Sequence, residues 1–147
     1  MRVQDGELKM ANVRKGCDVM AIIRSFRDLN AYQRTRREIL LISETTRTFP
    51  REEKFSLTDQ IRRSSRAVNS MIAEAWAHRR YPASFVSKLT DALGEANETQ
   101  SWLDDAADCG YINLIQHMEL DAAWQAIGGM INKMIARADD FCRLAAH

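Results

Sequence analysis

The sequence holds 147 residues (16.8 kDa), 46% apolar and 28% charged, with 21 Lys and Arg against 20 Asp and Glu for a net charge of +1. That is the composition of one ordinary folded domain, able to bury roughly two-thirds of its unfolded surface, and it excludes a disordered polyelectrolyte. Two Pro, six Gly and the lack of β-branched runs exclude a sandwich or barrel, which needs turn residues at intervals of about 8–12 residues.

Residues 1–24 carry scattered charges, Gly6 and Gly16 and no sustained period, the pattern of a mobile extension; Met10 and Met20 are alternative internal starts. Residues 25–147 form the domain. From Asp28 onward, Leu29, Tyr32, Ile39, Ile42, Thr46 and Phe49 recur at helical spacing until Pro50 stops the run. Ser56 with Asp59 three residues on predicts a capping-box variant for a second helix, whose buried face is Leu57, Ile61, Ser65, Val68, Ile72 and Trp76. Pro82 disfavours helix in the residue before it and suits the first position of the next. The second helix is therefore expected to end near Arg79–Tyr81 and the third to begin at Pro82 or Ala83, with an inward stripe of Phe85, Leu89, Ala92, Leu93, Ala96, Leu103 and Ala107. Gly110 supplies its C-terminal stop. After a short turn through Tyr111–Asn113, Leu120, Trp124, Ile127, Ile131, Met134, Ala138 and Phe141 predict one last helix running nearly to the end. Gly128-Gly129 is its flaw, since each glycine costs about 1 kcal/mol in a helix interior, and is expected to permit a close helix contact or a bend. Four long helices with short connections predict an all-α, up-down-up-down antiparallel four-helix bundle.

Chemistry-bearing constellations are sparse. No stretch reaches the roughly 18 apolar residues that span a bilayer, and no apolar leader with a small-residue cleavage site opens the chain, so a cytoplasmic location with no membrane partner is expected. Cys17, Cys109 and Cys142, without CxxC spacing, read as reduced, mostly buried thiols. Glu74 and His78 are an unrepeated Glu-to-His pair, whereas a di-iron bundle repeats Glu-x-x-His. No metal, no cofactor and no catalytic residues are therefore assigned. His78 reads as a helix end, His117 as a surface residue and His147 as tail, while Trp76, Trp102, Trp124, Tyr32 and Tyr111 read as core or interface.

Charge is unevenly placed along the chain. Residues 24–80 hold 13 basic and 7 acidic side chains, and residues 81–147 hold 4 and 10. At about 100° per residue, Arg62, Arg66 and Arg80 fall on one stripe away from the core face, with Arg63 and Arg79 beside them; Arg34 and Arg37 lie opposite Tyr32 and Ile39, and Asp91, Glu98 and Asp105 opposite Phe85 and Leu89. Three uses compete: a solvated surface with pairing inside the chain, worth about 0–1 kcal/mol per exposed pair; a basic face meeting an acidic face on a neighbouring copy, which closes into a ring; and a phosphate-backbone footprint suited to the arginine fork.

Phe26–Gln33, then Phe49-Pro50, Phe55–Arg63, Ile72-Ala73-Glu74, Gly94, Glu98 and Gly110-Tyr111-Ile112 together resemble the bacterial four-helix bundle proteins encoded in intervening sequences of large-subunit rRNA genes. That family includes the accessory variability determinant of diversity-generating retroelements. The resemblance covers about residues 25–143 and implies a ring-shaped homopentamer and, for the retroelement members, a basic surface that engages nucleic acid and a reverse transcriptase. Glu74 and Glu98 match recurrent glutamates of the family and are expected to form an ion pair or hydrogen-bond network at a subunit contact, for which the charged faces offer Asp91, Asp105, Arg62 and Arg66 as further candidates. Where the family carries proline and glycine before and after its Ile-Ala-Glu, this chain has Asn69 and Ala75 nearby and neither breaker, so a more continuous second helix is expected. The reading is a non-enzymatic oligomeric scaffold or adaptor; the alternative is a nucleic-acid-binding accessory protein, working with a reverse transcriptase or rRNA, whose phosphate contacts are Arg34, Arg37, Arg62, Arg63, Arg66, Arg79 and Arg80.

Overall fold

The computed structural model describes residues 23–143, in which all regular structure is helical. Met10, Met20, Cys17, His147 and most of the expected extension lie outside the described residues. Four main helices, α1 (Asn30–Thr46), α2 (Leu57–Ala77), α3 (Pro82–Asp108) and α4 (Leu114–Ala136), are followed by a short α5 (Ala138–Arg143). Each main helix packs on its two neighbours in the cycle α1–α2–α3–α4, and α5 folds back on α3. Ile42, Ile61, Val68, Ile72, Phe85, Leu89, Leu103, Trp124, Ile127 and Ile131 fill the centre, fully buried.

Most elements begin and end where their residues dictate, and the departures have local causes. Ser25 and Asp28 form a capping box around a 3-10 turn at Phe26–Asp28, so α1 starts at Asn30 rather than at Asp28. The cap expected from Ser56 is not made. Glu53 does the work instead: its Oε2 accepts from the Leu57 amide at 3.1 Å and from Ser56 Oγ at 2.6 Å. Two residues short of the expected end, α2 stops at Ala77, while its run from Leu57 is unbroken as the missing proline and glycine implied. In α3 the stripe turns slightly, burying Thr99 and Ala106 while Leu93 and Ala107 are only half-buried. Its end is a Schellman turn, with the Gly110 amide donating to Ala107 O and the Tyr111 amide to Ala106 O. Gly110 has φ +74°, a left-handed backbone that costs a side-chain-bearing residue about 1–2 kcal/mol. Gly110→Ala should lower the unfolding free energy in urea by that amount.

The last helix is not continuous. Asn113 and Gln116 cap its start with a capping box the sequence reading missed, and the chain breaks at Arg137. The break turns Phe141 onto Phe85, with ring centroids 5.8 Å apart. The glycine pair does not interrupt α4, which runs unbroken from Leu114 to Ala136. Gly128 faces α3, where a methyl group would stand 3.4 Å from Leu93 Cδ1, an ordinary contact that does not itself require glycine; nothing in the structure explains Gly129. Cys109 is exposed and Cys142 half-buried, which corrects the expectation of mostly buried thiols, because Cys109 occupies the cap position beyond α3.

Candidate functional site

The α2–α3 seam absorbs much of the charge that seemed free in the sequence. Arg63 Nη2 lies 2.7 Å from Glu98 Oε1, and its Nη1 lies 3.9 Å from Glu95 Oε1. Trp102 Nε1 donates to the same Glu98 oxygen at 3.2 Å, and Lys88 Nζ pairs with Glu74 Oε2 at 3.2 Å. Beneath them, the buried Ser64 and Thr99 hydroxyls share a 2.9 Å hydrogen bond. Glu95 Oε2 is buried without a hydrogen-bond partner among the described residues, and burial, then the neighbouring Glu98 carboxylate, pushes the Glu95 carboxyl above its usual range. Glu74 and Glu98 are thus held in ion pairs with partners on their own chain.

The seven candidate arginines fall into two groups. Arg34 pairs with Glu38 at 3.2 Å along α1, and half-buried Arg62 donates from Nε to Thr46 Oγ1 at 2.8 Å. Arg79 stacks on Trp76 with its guanidinium 3.5 Å from the ring centroid and donates from Nε to Trp76 O at 2.7 Å. With Arg63, these are committed to the fold. Arg37, Arg66 and Arg80 are exposed and make no hydrogen bond or ion pair among the described residues. The stripe through Arg62, Arg66 and Arg80 is therefore not a uniform face, since α1 packs against α2 and takes up Arg62.

Asp91 and Asp105 are exposed on α3. His78 closes α2 and bonds through Nδ1 to Ser84 Oγ at 2.6 Å, and His117 bonds through Nε2 to Asp104 Oδ1 at 2.8 Å. Trp124 is fully buried and Trp76 buried, while Trp102, Tyr32 and Tyr111 are half-buried against the core.

Two features escaped the sequence reading. At the bundle end where α1 passes to α2 and α3 to α4, the two connections are tied together. Tyr111 Oη donates to Glu53 Oε1 at 3.1 Å, and the Tyr111 ring lies 5.5 Å from Phe49. Burial, then the bond to Glu53, pushes the Tyr111 hydroxyl up to about 12. Around this tie, Phe55, Leu114, Ile115 and Met118 are 86%, 73%, 67% and 61% exposed. The signal was present: at about 100° per residue, Ile115 and Met118 project far from the face of Leu120 and Trp124. At the opposite end, Arg143 on α5 reaches the cleft beside Arg79 and Arg80, a meeting of residues more than sixty positions apart that no local period encodes.

Residues 27–133 match the 23S rRNA-intervening sequence protein family. The chain belongs to that family. The match falls within the span of the resemblance seen in the sequence and takes in all four main helices apart from the last turn of α4. A crystal structure of a protein of unknown function from the S23 ribosomal protein family of Bacteroides thetaiotaomicron is similar, with 27% identity and a TM-score of 0.65. That similarity covers 72% of this chain and 95% of the other. No curated protein matches the chain. Family membership thus brings a fold and a relative of unknown function. Among the described residues, no helix is long and apolar enough to cross a membrane.

Proposed function

We propose that this chain is a non-enzymatic, cytoplasmic scaffold or adaptor, an up-down-up-down antiparallel bundle that assembles with copies of itself. The antiparallel course is supported by the pairing order along the α2–α3 seam, where Arg63, Ser64, Glu74 and His78 meet Glu98, Thr99, Lys88 and Ser84 in turn. Assembly is carried by one observation: four large apolar side chains, Phe55, Leu114, Ile115 and Met118, stand in solvent at one end of the bundle. Covering a side chain of that size is worth about 1.5–3 kcal/mol, and large apolar side chains gathered at one end of a folded domain favour an interaction there. The resemblance noted above favours a pentamer as the product. Glu74, Glu98 and Arg63 are satisfied within the chain, so the assembly proposed here does not rest on them.

Light scattering tests it. The wild-type chain should show a multiple of 16.8 kDa that persists at high salt, as an apolar contact requires, and the Ile115→Asp, Met118→Asp double variant should fall to a single-chain mass. A wild-type mass of one chain, or an unchanged mass in the double variant, refutes the assembly. The nucleic-acid reading is favoured by the exposed Arg37, Arg66 and Arg80. It requires an RNA or DNA oligonucleotide to bind with steep salt dependence that Arg37→Ala with Arg66→Ala weakens.

A further inference from the structure

We propose that the cleft where the α2–α3 turn meets α5 is a binding site for a diphosphate-bearing small anion. This inference is independent of the self-assembly reading. The cleft has a volume of about 470 Å³ and is lined by Arg79, Arg80, Pro82, Asp139, Cys142 and Arg143, three guanidinium groups against one lining carboxylate, with Asp140 paired to Arg143 beside it. A guanidinium presents a rigid fork that matches two phosphate oxygens at once. The Arg79 and Arg80 guanidiniums, with the remaining donor of Arg143, exceed the needs of a single carboxylate ligand and suit a group bearing several anionic oxygens.

The three arginines are held in different ways. Arg79 is preorganised: its ring stack on Trp76 and its Nε bond to the Trp76 carbonyl fix the guanidinium at the cleft wall, which reduces the ordering cost of binding. Partial burial lowers the Arg79 pKa, the electrostatic state that a bound anion relieves. Arg80 is exposed and has no partner among the described residues. Arg143 is carried on α5, where Nη2 holds Asp140 Oδ1 at 2.8 Å and Nε donates to Asp139 O at 3.4 Å. Between them, the half-buried Cys142 has its thiol pKa pushed up by burial and by Asp139, so it stays neutral and does not compete with a ligand for Arg79.

Asp139, Cys142 and Arg143 lie beyond the family-matched residues 27–133. The α5 wall of the cleft therefore lies outside the family-matched span, whereas Arg79, Arg80 and Pro82 lie within it.

The test is calorimetric titration of the full chain with inorganic pyrophosphate, with sulfate and inorganic phosphate at matched ionic strength as comparators. Pyrophosphate should bind at least tenfold more tightly than sulfate. Arg80→Ala combined with Arg143→Ala should weaken pyrophosphate binding at least tenfold, whereas Asp139→Asn, which removes the carboxylate that lines the cleft, should tighten it severalfold. An oligonucleotide titration separates this cleft from a nucleic-acid face: Arg37→Ala with Arg66→Ala should leave pyrophosphate binding unchanged. Equal affinity for sulfate and pyrophosphate, indifference to the arginine double variant, or no gain in Asp139→Asn overturns the proposal.

Discussion

Phe85→Ala is expected to lower the unfolding free energy by about 3–5 kcal/mol, the cost of emptying a fully buried aromatic position. Phe85 is fully buried, and it is the ring on which Phe141 rests. The same substitution should therefore release α5 as well as weaken the core, since the α5 sequence of six residues is too short to be helical without tertiary support. Urea unfolding measures the first effect. Amide hydrogen exchange measures the second, with protection lost across residues 138–143 before the rest of the bundle opens. Phe141→Ala should reproduce the loss of α5 protection at a smaller cost to the whole, because Phe141 retains some exposure and lies at the edge of the core. A Phe85→Ala protein with intact α5 protection would show that the Phe85–Phe141 contact does not hold that helix.

Arg63→Ala is the second effect, expected at about 1 kcal/mol near neutral pH, since Arg63 is itself exposed while the carboxylates it faces are half-buried. Arg63 is the cation that faces both Glu95 and Glu98 across the α2–α3 seam. Glu95 has one buried oxygen already without a bond among the described residues, so removal of Arg63 leaves two neighbouring carboxylates facing each other. The pH dependence follows from the direction of the shift. Because the Glu95 pKa is raised in the folded chain, its protonated form stabilises the fold, and that contribution is lost as pH rises through the folded pKa. The Arg63→Ala deficit should therefore be greatest at neutral pH and shrink toward about pH 4, where carboxylates approach neutrality. Glu95→Gln should flatten the same profile, since it is neutral at every pH and keeps the shape of the side chain. An Arg63→Ala deficit that does not change with pH would remove the Glu95–Glu98 pair as its cause.

Glu53 has the opposite sign. Its carboxyl is held below its usual range by the Ser56 hydroxyl and the Leu57 amide, so what it contributes is present above its unfolded pKa and lost on acidification. The residue also shows how a local rule is overridden. A serine followed three residues later by an acid was a sound cap pattern, yet Glu53 lies one turn upstream in a 3-10 turn and reaches the Leu57 amide first. A competing carboxylate outside the pattern's window decided the outcome.

Helix existence, the apolar faces of α1 and α2, the Pro82 start and the Gly110 stop were legible because each depends on residues within one or two turns of one another. Periodicity reports which way a side chain faces relative to its own axis, and Ile61, Val68, Phe85 and Trp124 faced the centre as it required. Ile115 and Met118 carry the same angular signal, as apolar residues off the buried face, although the sequence reading did not single them out. The fate of each charge was not. Arg62 and Arg66 share a stripe by angle, but α1 lies against one and leaves the other in solvent; Arg63 and Glu98 are 35 residues apart and meet at 2.7 Å. The break at Arg137, which carries Arg143 toward Arg79 and Arg80, also belongs to this second class, since neither glycine nor proline marks it and the buried ring of Phe85 is what Phe141 packs against. The sequence by itself determined the all-helical class, the positions of the main helices and the family, because these rest on period, turn residues and local motifs. Only the tertiary structure decided which charged groups remain free to meet a partner, because pairing between helices depends on distances in space that one-dimensional spacing does not contain.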